Sequence, residues 1–275
     1  MNFIIAIGPF FNITRAEWLR RLSLTGTLLS MVILTASAVL RLTTVIDAQG
    51  NALSQLFPDI ESAVRLLHRV SATMVALIAL AVLVLSWRII HSNTKVMKPA
   101  LWIVFSVLIL SIAGPLTSGY RHGFVTVLNV VIGMVMLMSF WWMNETLTYS
   151  INRLIPISLE TRVRPTLLTL AVHIASGAAA SAWFMYGMRW PSWIHVLTLF
   201  PMMAFVLIKP SIHPQSKKNN YVFFASLVVG VQFISGVTLI WQEQRSLGLS
   251  VTHAITSYLL TLILISTIFR NSREN

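Results

Sequence analysis

Three histidines, His68, His195 and His253, lie at the edges of long apolar stretches, with arginines close by in the chain. Ionisable groups inside apolar spans are costly, so each is a candidate functional residue. An imidazole there is either a bonded interfacial side chain or a ligand for a metal. Six arginines accompany them: Arg41, Arg65, Arg69, Arg121, Arg189 and Arg245. The planar guanidinium suits bidentate binding of carboxylates. Pairing with Asp47, Asp59, Glu61 and Glu243 is the simpler role for these arginines. The absence of cysteine excludes a disulfide framework and any cysteine-ligated zinc or iron–sulfur centre. A histidine zinc site would need acidic partners and a compact cluster, and the spacing offers neither.

The elements that carry these residues are apolar helices. Of 275 residues, 56% are hydrophobic and 10% charged, far below the roughly 25% charged residues of a soluble domain. The 20 Lys+Arg against 8 Asp+Glu give a net charge of +12. A nucleic-acid binder would cluster that charge on a polar face, but here it punctuates apolar runs. Runs of about 18 residues or more cross a bilayer as helices, whose backbone groups are satisfied internally. Eight are expected, at 22–40, 63–87, 100–116, 124–143, 166–186, 193–208, 221–241 and 249–269. The sixth is the weakest, being short and containing Pro201. Fourteen basic residues, including all five lysines, fall in the terminal segments and alternate loops on one side. By the positive-inside rule that side is cytoplasmic, with both termini in. The expected organisation is a cytoplasmic segment 1–21, a four-helix half 22–143, a linker 144–165, a second four-helix half 166–269 and a tail 270–275.

An internal repeat links the halves. Helices 2 and 6 both open on the outer side near a histidine, His68 and His195, and helices 4 and 8 align Asn129 with His253. His195 follows His68 by 127 positions, and His253 follows Asn129 by 124. The fold class is therefore an all-α integral membrane protein of eight transmembrane helices, two fused four-helix bundles with a pseudo-twofold repeat. Two histidines facing one another across a bundle could ligate a heme iron, with arginines at the outer rim holding its propionates. His195 and His253 make the stronger pair. His173 has no evident partner, while His91, His122 and His213 read as loop residues.

The pattern resembles the heme A synthase family, cytochrome oxidase assembly proteins of bacterial and mitochondrial inner membranes. Ala38-Val-Leu-Arg41-Leu-Thr43 is similar to the family's element ending helix 1, and Leu67-His68-Arg69 to its His-Arg motif opening helix 2. Val231-Gln-Phe-Ile-Ser-Gly236-Val-Thr-Leu resembles its helix 7 and leads to Val251-Thr-His253 in helix 8. The resemblance runs from Leu22 to Phe269. It implies a C-terminal half holding heme b between His195 and His253. It also implies an N-terminal half that takes heme O as substrate on His68, and oxidises a ring methyl to the formyl group of heme A. Arg41 and Arg69 would hold propionates or shape that pocket. A bacterial inner-membrane location follows, with the lipid bilayer, an electron donor, heme O synthase and oxidase assembly factors as partners and no nucleic acid.

The chain departs from the family where the chemistry would occur. Asn129 stands in place of the opposing N-terminal ligand, and Arg65 in place of a glutamate three residues before the first histidine. Glu61 is the remaining carboxylate on nearly the same helical face, about a turn farther out, and is the candidate catalytic acid beside His68 for a substrate site shifted outward. Three functions are therefore weighed. One is a heme A synthase-like oxidase with a one-histidine substrate site. Another is a non-catalytic heme b-binding assembly or electron-transfer protein that keeps only the C-terminal pair. A third is a 4+4 anion transporter, disfavoured because the midplane carries almost no charge.

Overall fold

The computed structural model describes residues 14–48, 58–89, 94–116, 123–151, 163–183, 188–204, 219–242 and 246–271. Eight α-helices make up almost all of them, and no strand occurs among the described residues. They are α1 (Arg15–Ala48), α2 (Pro58–Ile89), α3 (Met97–Leu116), α4 (Gly123–Ile151), α5 (Val163–Trp183), α6 (Trp190–Met203), α7 (Asn219–Trp241) and α8 (Leu247–Asn271), with a single 3₁₀ turn at Thr94–Val96. Each expected apolar run falls on one helix, with positions 184–186 and 205–208 outside the described residues. Six helices, all but α5 and α6, are long and apolar enough to cross a membrane. The 14 residues of α6 span only about 21 Å at 1.5 Å per residue, short of a hydrocarbon core of about 30 Å.

Local chemistry sets the helix starts. Thr14 accepts the backbone N–H of Glu17 at 3.3 Å, the Thr-x-x-Glu pattern of a capping box. The Glu17 carboxylate in turn takes Arg20 through two N–H groups, at 3.0 and 3.1 Å. Pro58 opens α2, with Asp59 and Glu61 in its first turn, where the helix dipole favours negative charge. Within α1 the hydroxyls of Ser23, Thr27 and Ser30 donate back to carbonyls one turn earlier. These buried polar groups therefore need no partner from lipid.

The helices close into two rings. In the first, α1 packs on α2 and α4, and α3 packs on the same two. Small residues permit the α1–α4 approach: Gly26 lies beneath the Phe140 ring, and Gly133 beneath Leu34. In the second ring α5 packs on α6, α6 on α7, α7 on α8 and α8 on α5. The rings join where α1 and α4 meet α8, and α4 meets α5. One apolar core crosses this join through Leu34, Leu137, Ile174, Val228 and Leu264. A polar clasp crosses it as well. Trp141 donates to the Ser266 hydroxyl at 2.8 Å, and Ser266 donates to the Glu145 carboxylate at 2.8 Å. The outer faces of α2, α3 and α7 expose large apolar side chains, among them Leu80, Trp87, Phe105, Ile112, Phe223 and Ile234. An apolar exterior of this extent is a surface for lipid.

Candidate functional site

Three histidines meet inside the second ring. His195 from α6 and His253 from α8 lie with ring centres 5.8 Å apart and planes at 81°. His173 from α5 stacks on His195 with centres 4.2 Å apart and planes at 26°. The sequence gives His173 no evident partner, and the structure corrects that. It is buried, bonds Thr198 and forms one wall of the site. All three rings line a cavity of about 160 Å³, together with Arg41, Ser192, Ser250 and Tyr258.

Two copies of one local design build this site. In the first, the Ser176 hydroxyl lies 3.2 Å from Nδ1 of His195 and donates to the His173 carbonyl at 2.9 Å. In the second, the Ser235 hydroxyl lies 3.0 Å from Nδ1 of His253 and donates to the Gln232 carbonyl at 3.2 Å. A glycine follows each serine, and each leaves room for a ring. A Cβ on Gly177 would sit 2.7 Å from Cε1 of His195, and one on Gly236 3.0 Å from Cε1 of His253. One turn beyond each histidine a threonine donates to the histidine's own carbonyl, Thr198 at 2.7 Å and Thr256 at 3.0 Å. The residue three before each serine then bonds that threonine. His173 Nδ1 lies 2.8 Å from Thr198, and the side-chain amide oxygen of Gln232 accepts from Thr256 at 2.5 Å.

This repeat is legible as Val172-His173-Ile-Ala-Ser176-Gly177 against Val231-Gln232-Phe-Ile-Ser235-Gly236, and as His195-x-x-Thr198 against His253-x-x-Thr256. The spacing is 59 positions in the first pair and 58 in the second. It relates the α5–α6 hairpin to the α7–α8 hairpin, and lies within one half of the chain.

The hydrogen-bond network assigns the ring protons. The Ser176 hydroxyl proton goes to a carbonyl, so its oxygen acts as an acceptor toward the His195 ring. His195 Nδ1 also lies 3.1 Å from the His173 carbonyl, which can only accept. His195 therefore carries hydrogen on Nδ1, whereas the Thr198 hydroxyl beside His173 Nδ1 can donate or accept. Ser235 imposes the same tautomer on His253, whose Nε2 accepts from the Gln232 amide at 3.2 Å. Nε2 of His173 is buried and without a hydrogen bond among the described residues. The lone pairs of His195 and His253 thus sit on Nε2.

His68 occupies a separate cavity in the first ring, of about 720 Å³. Ligand pockets run from about 300 to 1,000 Å³, so this one is of ligand size and the 160 Å³ space is not. Arg41, Arg65 and Arg69 line the larger cavity with Asn129, Thr126 and Ser37. Arg41 and Arg69 both act electrostatically on His68, and Arg41 donates to Ser37 at 2.7 Å. No carboxylate lines it among the described residues. Glu61 is instead tied to Arg65, at 2.8 and 2.5 Å. Arg41 borders both cavities. The structure thus brings His195 and His253 together, joins Arg41 and Arg69 to His68, and keeps Glu61 outside the lining. Arg189 stands exposed at the start of α6. His91, His122, His213, Arg121 and Arg245 lie outside the described residues. Comparison with protein-family profiles and with curated proteins finds no match to this chain.

Proposed function

We propose that the chain is a heme protein of the heme A synthase type, spanning a bacterial inner membrane eight times with both termini cytoplasmic. Heme b would be held between His195 and His253, and heme O would be the substrate in the His68 cavity. The paired histidine hairpins carry the reading. His195 and His253, with ring centres 5.8 Å apart, are the residues that would hold the heme iron. Metal-ligating histidines commonly donate their second N–H to a fixed acceptor. Ser235 accepts from His253 and the His173 carbonyl from His195. Gly177 and Gly236 supply the cradle that close ring packing requires. The macrocycle itself needs more than the 160 Å³ of this cavity, and among the described residues no group of three or more His, Asp or Glu side chains is placed to hold a metal ion. Heme b, once bound, supplies one-electron chemistry.

The residues of the first ring have distinct roles. His68 would bind the substrate from one side, while Arg41 and Arg69 would hold its propionates through charge-assisted hydrogen bonds; Arg65 is already paired with Glu61. The 720 Å³ cavity, lined by α1, α2, α3 and α4, is of a size to receive such a ligand. Converting that methyl to formyl would take one oxygen from water and release four electrons and four protons, so an external electron acceptor would be required. The test is co-expression with a heme O source, followed by extraction and identification of the hemes. Heme A is the expected product. Folded, heme b-loaded protein with heme O unchanged would overturn the catalytic reading.

One observation favours a second reading, a non-catalytic heme b protein in oxidase assembly or electron transfer. Asn129 faces the cavity where the family places a second ligand, and no described carboxylate lines it. This reading expects a six-coordinate heme b spectrum that His68→Ala leaves intact.

A further inference from the structure

The cavity of the first ring has a mouth on the outer face of the bundle, between α2 and α3. Arg65, Arg69 and Thr73 follow one another every four residues on α2, and each is exposed while lining the cavity. Ser111, Gly114 and Pro115 do the same on α3. The faces beside this mouth expose Leu66, Leu77, Leu108 and Ile112, so it opens onto the apolar exterior where lipid lies. Thr73 donates to the Arg69 carbonyl at 3.0 Å, and Ser111 to the Val107 carbonyl at 2.8 Å. Neither hydroxyl therefore needs water, and an acyl chain can pass them.

Charge is confined to one end of this space. His68, Arg41, Arg65 and Arg69 line that end, while Ile33, Leu34, Val75, Val107, Leu110 and Met136 line the deeper part. Glu61 is tied to Arg65, whereas Arg69 forms no ion pair among the described residues. The 18 residues from Val70 to Trp87, between Arg69 and Arg88, carry no charge. As a helix they cover about 27 Å, close to a hydrocarbon core of about 30 Å. Arg69 therefore stands at the level of lipid phosphates, with the apolar floor below it in the hydrocarbon.

We propose that this cavity binds an anionic phospholipid, taken from the surrounding bilayer through the mouth between α2 and α3. The phosphate lies against Arg69, with Arg41 and Arg65 adding to the positive field, and one acyl chain runs through the mouth onto the apolar floor. Basic pockets between membrane helices bind anionic lipid head groups in this way. The guanidinium suits a phosphate because its fork of N–H groups matches two oxygens at once. A zwitterionic lipid brings its own ammonium to the same arginines and is disfavoured. The site needs no metal and none of the histidines of the second ring, and a substrate bound in the same cavity would displace the lipid.

The test uses the full-length protein, purified in mild detergent from cells given no heme O source. Its retained lipids are extracted and compared by mass spectrometry with those of the membrane it came from. Phosphatidylglycerol is expected to be enriched over phosphatidylethanolamine. Arg69→Gln is expected to lower that retention about fivefold, the effect of one basic group at a lipid surface. Arg88→Gln, at the opposite end of α2, is expected to leave it unchanged. Added phosphatidylglycerol should raise the unfolding temperature of the delipidated protein, and phosphatidylcholine or inorganic phosphate should not. Retained lipid that matches the membrane composition overturns the inference, and so does an equal loss in the two arginine variants. Stabilisation by inorganic phosphate as large as that by the lipid also overturns it, and makes this a site for a free anion. Selective lipid retention in a protein that converts no heme O supports this inference and counts only against the function proposed above.

Discussion

Gln232 and His173 hold equivalent positions in two copies of the same hairpin, and Gln232 covers a histidine lone pair where His173 leaves its own Nε2 without a partner among the described residues. The Gln232 amide donates to His253 Nε2 at 3.2 Å and to Ser257 at 2.6 Å, while its carbonyl accepts from Thr256. It thus competes with any metal for His253. A neutral hydrogen bond contributes about 0.5–1.5 kcal/mol net. Gln232→Leu, which keeps the bulk, should therefore raise heme affinity about two- to tenfold in a hemin titration. The heme-free protein should lose about 1–3 kcal/mol from the uncovered lone pair. Unchanged or weaker heme binding would mean that Gln232 does not oppose the metal.

The two serines are not equal. His253 Nδ1 has Ser235 as its acceptor, whereas His195 Nδ1 has both Ser176 and the His173 carbonyl. Groups that orient a metal-binding histidine typically contribute 10- to 100-fold in affinity. Ser235→Ala should fall in that range, and Ser176→Ala should lose less because the carbonyl remains. Equal losses in paired titrations would contradict the assigned tautomers.

Much of this site was legible in the residues themselves. The pairing of His195 with His253 follows from two histidines at like depth in α6 and α8, because even-numbered helices of a ring face one another. The helix positions were legible too, since runs of apolar residues have few other uses at that length. His173 has no counterpart histidine at the half-chain spacing of 124–127 positions. The design that positions the rings recurs at 58–59 positions. Its most informative position differs in type between the copies, His against Gln, which hides it from a search for paired histidines. Glu61 shows a different limit. Helical periodicity puts it on nearly the His68 face, yet its carboxylate pairs with Arg65 one turn away, a choice periodicity cannot reveal.

Gly177 tests the close packing of the site. A Cβ at this position would meet Cε1 of His195 at 2.7 Å and Nδ1 at 3.1 Å. The ring is held by His173 and the α5–α6 seam and cannot simply swing away. Gly177→Ala should displace it and shift or abolish the heme spectrum. Gly236→Ala, with its nearest approach at 3.0 Å, should do less. An unperturbed spectrum in Gly177→Ala would show that His195 leaves this packing when heme binds.

The join between the rings has its own test, independent of any cofactor. Ser266 links Trp141 to Glu145 across α4 and α8. Ser266→Ala leaves a half-buried indole N–H and a buried carboxylate oxygen without this bond, at about 1–3 kcal/mol for the carboxylate. Thermal unfolding in detergent should show a clear loss of stability, largely restored by Ser266→Thr. A neutral Ser266→Ala would mean that other groups replace the clasp.

Arg41 is the residue through which the two cavities can influence each other. It projects from α1, donates to Ser37 one turn back and borders both spaces. A hydrogen bond between charged groups contributes about 1.5–3 kcal/mol, equivalent to roughly 10- to 150-fold in affinity. Arg41→Gln should weaken hemin binding by that order if the guanidinium holds a propionate. The dimethyl ester of heme has no carboxylate to hold, so its binding should be nearly indifferent to the same substitution. Comparing the two ligands separates loss of a charge contact from general damage to the fold. An equal loss for both would assign Arg41 to the packing of α1 against the second ring.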